Sequence, residues 1–333
     1  DEPALKGLPR ARVRYFMAAP NLTDTSRFHL LPLKNPEIYD FYHLFKSLFW
    51  TPAEVDTSKD RAAYLKLDPE AQTYLRNILA FFYASDSIVA EQLFKRLMDV
   101  EIPEARLALA MQLSQEAIHT EMYASLIQDI LTEGEKDDAF HALDRNPTVR
   151  SKADFCLKYI AAEDLTLAER YVVSGAMEGV LFSASFCVIF WLKSHRKPVL
   201  EGLSLGNLFI ARDEGSHCKL SAAIHNALPQ KCSQARAHEI FAEAVQVETE
   251  FVRDSMPVAS IGMNCDQMIE FIKLSANVGL SLFGFDALYP GVQNPFPFMD
   301  SIGLSTKQNF FEGRSSEYQM ATGKRAFSTD EEF

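Results

Sequence analysis

An all-α bundle is the fold this sequence predicts, and three observations carry it. Six long segments between residues 36 and 285 repeat apolar side chains at the three- and four-residue spacing of a helix. Apart from a weak candidate in "ARVRYFMA" (11–18), no stretch alternates apolar and polar residues as a strand would. Of the 333 residues, 47% are hydrophobic, enough for a large core in one large domain or two smaller ones.

The first long segment, 68–100, opens on Asp68-Pro69-Glu70, an N-cap followed by proline at the first helical position. The next, 103–131, also begins with proline. Segments 164–194, 203–228, 235–255 and 265–285 follow. Several are apolar around most of their circumference, which places them inside a bundle rather than on its surface. The organisation expected is an extended N-terminal segment (1–35), a helical domain (36–288), and an irregular segment with a polar C-terminal tail (289–333), the last opening on the Pro-rich "YPGVQNPFPFMD".

Composition excludes several functions. A net charge of −12 and a pI near 5.2 argue against a nucleic-acid or anionic-membrane partner, since both want a basic footprint. Nucleotide phosphates have no G-x-x-x-x-G-K-[ST] loop and no G-x-G-x-x-G after a strand to cradle them. The longest apolar run, "GVLFSASFCVIFWL" (179–192), is short for a bilayer and is bounded by Glu178 and Lys193. "DEPALKGLPRARVRYF" lacks the apolar core of a signal peptide and opens without Met, as a trimmed chain would. Five scattered cysteines with no C-x-x-C read as reduced thiols of a cytoplasmic protein.

The chemistry lies in two Glu-x-x-His pairs, Glu116–His119 and Glu214–His217. Bare matches to so short a pattern are weak, but each sits mid-way along a long apolar helix, where an unpaired carboxylate is costly to bury. Each also follows a helix with a lone acid: Asp86 precedes Glu116 by 30 residues and Glu178 precedes Glu214 by 36. Antiparallel packing would bring four carboxylates and two imidazoles to one level. That is the ligand set of a dimetal-carboxylate site in a ferritin-like bundle, suited to iron or manganese. Ferritins, rubrerythrins, desaturases and hydroxylases all share such a site. Tyr123 narrows the choice. Seven residues beyond Glu116, it returns to within roughly 20° of the same helix face, one turn from His119.

Several stretches resemble the small, radical-generating subunit of ribonucleotide reductase, nearest the eukaryotic and viral branch, from about residue 28 to the C-terminus. They are "FWTPAEVD" (49–56), "FYASDSIV" (82–89), "QEAIHTEMY" (115–123), "MEGVLFSASF" (177–186), "ARDEGSH" (211–217), "IGMNC" (261–265) and "NFFEGRSSEY" (309–318). The resemblance implies two iron ions per chain, with manganese the other possibility. It assigns Asp86, Glu116 and His119 to one ion and Glu178, Glu214 and His217 to the other. It puts a stable tyrosyl radical on Tyr123, inside an apolar pocket of Phe182, Phe186 and Ile210. It gives Trp50 the link from the metal site, through Asp213 and His119, toward the surface. Asp213 would accept the proton on the second nitrogen of His119. Tyr318 would carry the radical across the subunit interface, and the acidic tail "FSTDEEF" would dock on the large catalytic subunit, where ribonucleotides are reduced.

The long apolar helices leave more surface than one bundle hides, so a homodimer is expected, and the resemblance implies that it uses dioxygen and an electron donor. Two departures from the family pattern, Gly313-Arg314 in place of a basic pair and a short tail ending DEEF, concern docking on the large subunit rather than the metals. Three alternatives stand beside this reading. An iron carrier leaves Tyr123, Trp50 and the tail without a role. A silent scaffold paralogue has no need of six intact ligands. A dimetal oxygenase would want a substrate tunnel and no tail.

Overall fold

The computed structural model describes residues 28–255 and 261–301, so Tyr318, "FSTDEEF" and the strand candidate at 11–18 lie outside the described residues. Within them the chain is helical and no strand occurs. In order come α1 (Pro36–Ser47), α2 (Asp60–Tyr64), α3 (Pro69–Asp99), α4 (Pro103–Ile130), α5 (Glu133–Phe140), α6 (Ala142–Arg145) and α7 (Pro147–Ala161). They are followed by α8 (Leu167–Val180), α9 (Ser183–His195), α10 (Glu201–Ala227), α11 (Gln234–Ser255) and α12 (Cys265–Leu282).

Four of these form the inner bundle: α3 packs on α4, α8 on α10, and α4 on α10, while α1, α7, α11 and α12 cover the outside. Antiparallel order on α4 and α10 is read from contacts that step in opposite directions. Gln115 meets His217, His119 meets Asp213, and Tyr123 meets Asn207.

Local chemistry fixes where the inner helices start. The amide of Ala71 donates to Asp68 Oδ1 at 2.8 Å, and Pro69 sits where no amide proton is needed. A capping box of Thr166 and Glu169 opens α8. The start of α10 is capped from a distance: buried Asp60 accepts the amides of Gly202 (3.1 Å) and Leu203 (2.6 Å). Only glycine fits at position 202, because a Cβ there would stand 2.7 Å from the backbone oxygen of Asp56.

One expectation changes. Residues 164–194 read as a single helix, but the structure breaks it at Leu181–Phe182 between α8 and α9. The broken ends are not left to solvent. Lys152 of α7 donates its ammonium to the Leu181 carbonyl, and Glu248 of α11 accepts the Ala184 amide at 3.2 Å. Those two side chains, both fully buried, pair at 2.7 Å, and the Lys152 nitrogen lies 3.5 Å from the Phe81 ring centre and 4.0 Å from that of Phe251. Apolar periodicity cannot register such a break, because it lies among residues buried on every side. The stretch Leu167–His195 is long and apolar enough to cross a bilayer, but its apolar window is wholly buried inside the protein.

Candidate metal centre

Asp86 on α3, Glu116 and His119 on α4, Glu178 on α8, and Glu214 and His217 on α10 are all brought inward and are at most 3% exposed. Glu116, Glu178, Glu214 and His217 offer ligand atoms all within 4.8 Å of one another. His217 Nδ1 stands 3.0 Å from Glu116 Oε1 and 3.7 Å from Glu214 Oε2. His119 Nδ1 stands 3.1 Å from Glu214 Oε1 and 3.5 Å from Glu116 Oε2. Each of these two glutamates thus turns one oxygen toward each imidazole, the posture of a carboxylate bridging two ions.

The donor set fits metal ions better than it fits itself. Both oxygens of Glu116 and of Glu214, Asp86 Oδ2, Glu178 Oε2, and Nδ1 of both histidines have no hydrogen-bond partner, although all are buried. Leaving a buried polar atom unpaired costs about 1–3 kcal/mol, so eight together call for a ligand. The close approaches between these nitrogens and oxygens lie off hydrogen-bond alignment. Their spacing is that of atoms sharing a cation, since two donors each about 2.1 Å from one ion stand on the order of 3 Å apart.

Electrostatics agree. Burial pushes the Asp86 carboxyl well above its ordinary range and that of Glu178 up to about 8. Burial would raise Glu116 too, but the two imidazoles of His119 and His217 beside it outweigh that and hold Glu116 down to about 2. Burial would lower His217, yet Glu116 and Glu214 raise it to about 10. Four buried carboxyls against two imidazoles leave an excess of negative charge that divalent cations neutralise. Adding Mn(II), or Fe(II) without oxygen, to metal-free protein is therefore expected to raise its unfolding midpoint. A hundredfold excess over Kd should add about 2.7 kcal/mol, readable by calorimetry.

The residues behind the donors hold them in place. His119 Nε2 lies 3.4 Å from Asp213 Oδ2, and the same oxygen accepts the Trp50 indole N–H at 2.8 Å. The Trp50 and His119 rings lie 6.3 Å apart at 27°. Asp213 is fully buried rather than a solvated surface charge. Burial would raise its carboxyl, but the hydrogen bond to His119 and the charge of Arg212 keep it below its usual range. His217 Nε2 is matched instead by Gln115 Oε1 at 3.1 Å. Glu178 Oε1 accepts Gln112 Nε2 (2.9 Å) and Ser174 Oγ (3.2 Å), with Arg96 Nη2 at 3.9 Å.

Tyr123 is fully buried and stacks on Phe82, ring centres 4.7 Å apart at 10°. Phe186 and Phe182 lie behind Phe82, at 5.0 Å and 5.5 Å, and Ile210 is buried on α10. The phenol donates to Asn207 Oδ1 at 2.8 Å. Sequence reasoning missed Phe82, Asn207 and Gln115, yet each had a signal. Phe82 is one turn before Asp86, Gln115 adjoins Glu116, and Asn207 is seven residues before Glu214. On antiparallel helices that last offset mirrors the seven residues from Glu116 to Tyr123. A cavity of about 290 Å3, lined by Glu178, Glu214, Phe186, Phe271 and Val278 among others, adjoins the cluster.

Fold and site together define a ferritin-like helical protein with a buried carboxylate–imidazole centre able to hold a pair of metal ions. Within that class, residues 27–295 match the family described as ribonucleotide reductase, small chain. The ribonucleoside-diphosphate reductase small chain of Nicotiana tabacum is 40% identical over 302 residues, covering 90% of this chain and 91% of that one. Subunit M2 of the Homo sapiens enzyme is 38% identical over 340 residues, covering 100% of this chain and 82% of that one. Among solved structures, the ribonucleotide reductase Rnr4 homodimer of Saccharomyces cerevisiae superposes with a TM-score of 0.75 at 28% identity, covering 87% of this chain and 89% of that one. The chain belongs to the ribonucleotide reductase small-chain family, and the enzyme class is oxidoreductase.

Proposed function

We propose that this chain is the radical-generating half of a ribonucleoside-diphosphate reductase, storing an oxidising equivalent on Tyr123 and passing it to a separate large subunit. The observation that carries this is Tyr123 itself, fully buried on α4 with Glu116 and His119, stacked on Phe82 of α3 and hydrogen-bonded to Asn207 of α10, the helix of the second Glu-x-x-His pair. Two iron ions, held by Asp86, Glu116, His119, Glu178, Glu214 and His217, would supply the redox chemistry that lets dioxygen and an electron donor oxidise the tyrosine. Manganese fits the same hard donors.

Burial, reinforced by the charge of Asp86, pushes the phenol of Tyr123 well above its ordinary range. It therefore stays protonated, and oxidation to a neutral radical must expel its proton. Asn207 cannot take that proton, because an amide oxygen is not a base at working pH; it can only hold the phenol in position. The proton would leave toward the carboxylate cluster, whose Asp86, Glu214 and Glu116 all bear on the phenol. Phe82, Phe182, Phe186 and Ile210 exclude water and reductants from the resulting radical.

His119, Asp213 and Trp50 would form the exit path. Asp213, kept ionised, can receive the indole proton as Trp50 gives up an electron, so that charge does not accumulate along the path. Tyr318 would continue the path to the large subunit, with "FSTDEEF" as the docking tail. A homodimer is proposed as well, the state described for the yeast relative. Five free cysteines support a reducing, cytoplasmic setting.

Reconstitution with Fe(II) and dioxygen is expected to give a tyrosyl EPR signal; a metal-loaded chain that never shows one would refute the proposal. Trp50→Phe is expected to keep that signal and lose nucleotide reduction by a factor of about a hundred or more, since the reaction depends on the relay (1.36 kcal/mol per tenfold). Removing residues 327–333 should likewise leave the radical and abolish reductase activity with the large subunit. The oxygenase alternative asks for a tunnel, and the cavity beside Glu178 would serve one. Family membership and the Trp50–Asp213–His119 chain favour the reductase.

A further inference from the structure

Glu178 is held unlike the other three carboxylates of the cluster. Glu116 and Glu214 have no hydrogen bond on either oxygen, and Asp86 has a single long one, from the Ser85 hydroxyl at 3.4 Å. Glu178 accepts two on one oxygen: Oε1 receives Gln112 Nε2 at 2.9 Å and Ser174 Oγ at 3.2 Å, while Oε2 has none.

Behind Ser174 the bonds continue away from the metal centre. Ser221 Oγ lies 3.2 Å from Ser174 Oγ, and Arg96 Nη1 lies 3.3 Å from Ser221 Oγ. The series joins α3, α10 and α8, and Arg96, Ser221 and Ser174 are all fully buried. The Ser221 hydroxyl bonds to Arg96 and Ser174 and to no metal ligand.

Chemistry fixes the direction of this series. A hydroxyl can donate or accept, but a guanidinium only donates. Ser221 must therefore accept from Arg96, which turns its own proton toward Ser174. Ser174, accepting from Ser221, turns its proton on Glu178. Arg96 does not lose its charge, and a carboxylate ligating a metal is ionised, so charge at both ends strengthens the bonds between them. The guanidinium is itself held, its carbon 5.5 Å from the Tyr171 ring centre and its Nη2 3.9 Å from Glu178 Oε1.

We propose that Arg96, Ser221 and Ser174 form a one-way donor relay that confines Glu178 to a single metal-facing oxygen. Two donors engage Oε1, so Oε2 is the oxygen offered to an ion and chelation through both is blocked. Chelation would fill a coordination position. The relay keeps that position for a small molecule entering from the cavity that Glu178 lines. All three are positioning residues, and the inference rests on the dimetal reading above.

The test is infrared difference spectroscopy on the full-length protein, Mn(II)-loaded minus metal-free, with isotope-labelled glutamate to separate its bands from those of aspartate. The gap between the two carboxylate stretches is wide when one oxygen binds a metal and narrow when both do. The unaltered chain is expected to show a wide-gap glutamate pair. Ser221→Ala should lose that pair to a narrower one. The released Ser174 hydroxyl turns to the carbonyl one helical turn back, and Gln112 is left to hold Oε1 by itself. Ser174→Ala, which removes the donor outright, should give the same change. Ser221→Ala bands matching those of the unaltered chain would overturn the relay whatever Ser174→Ala does, since a hydroxyl that merely packs between helices has no hold on Glu178. An unaltered chain without a wide-gap glutamate pair would overturn it too. An unaltered chain that takes up fewer than two Mn(II) ions sinks the dimetal reading itself, so the two failures are told apart.

Discussion

Tyr123→Phe is expected to abolish the tyrosyl EPR signal and nucleotide reduction together, while the chain still takes up two metal ions. The substitution removes one hydroxyl from a fully buried ring stacked 4.7 Å from Phe82, so packing is preserved. It also leaves Asn207 Oδ1 without its phenol donor, a loss of about 1 kcal/mol that the fold can absorb. Phenylalanine has no O–H to lose and is much harder to oxidise, which makes the expected effect all-or-none. A tyrosyl signal of undiminished size in the variant would move the radical to another residue. Asn207→Leu sharpens the test: metal uptake should be kept while the radical becomes shorter-lived and its EPR line shape changes, because the phenol is no longer held.

Lys152→Met is expected to be the most damaging single change to stability outside the metal site, costing about 3–5 kcal/mol by denaturant unfolding. It strands the buried Glu248 carboxylate, which stands 2.7 Å from the Lys152 ammonium. Burial already raises Glu248 and lowers Lys152, so each depends on the other to stay charged. The usual remedy, replacing both partners with apolar residues, is expected to fail here. The pair also serves the backbone, since Lys152 donates to Leu181 and Glu248 accepts from Ala184. A Lys152→Met/Glu248→Leu double variant should therefore remain clearly destabilised. Full recovery in that variant would show that the helix break needs no such support.

The metal centre was legible in the sequence because its chemistry is spaced by the helix: Glu-x-x-His puts two donors on one face, and a lone acid on an apolar helix stands out against its neighbours. The inner helices were legible for the same reason, with boundaries within a residue or two at Asp68 and Ile130. What stayed hidden depends on contacts between helices. Asn207 and Gln115 look like ordinary polar residues until α4 and α10 are laid antiparallel. Lys152 and Glu248 are 96 positions apart and read as surface charges on amphipathic helices. Their burial follows from the break at Leu181–Phe182, which leaves a carbonyl and an amide in need of partners in a region no water reaches.

The crossed arrangement of α4 and α10 has a consequence for how this protein can change. The residue that steadies each histidine comes from the opposite helix, and it immediately precedes that helix's own glutamate: Asp213 serves His119, and Gln115 serves His217. The two motifs therefore form one interlocked unit. Sliding either helix by a single residue would misplace both histidines' supports at once. Insertions and deletions should be tolerated in the connections between helices and rejected between residues 112 and 123 or 207 and 217. Neither half can be transplanted into another bundle without its counterpart, so the smallest portable piece of this site is a pair of helices.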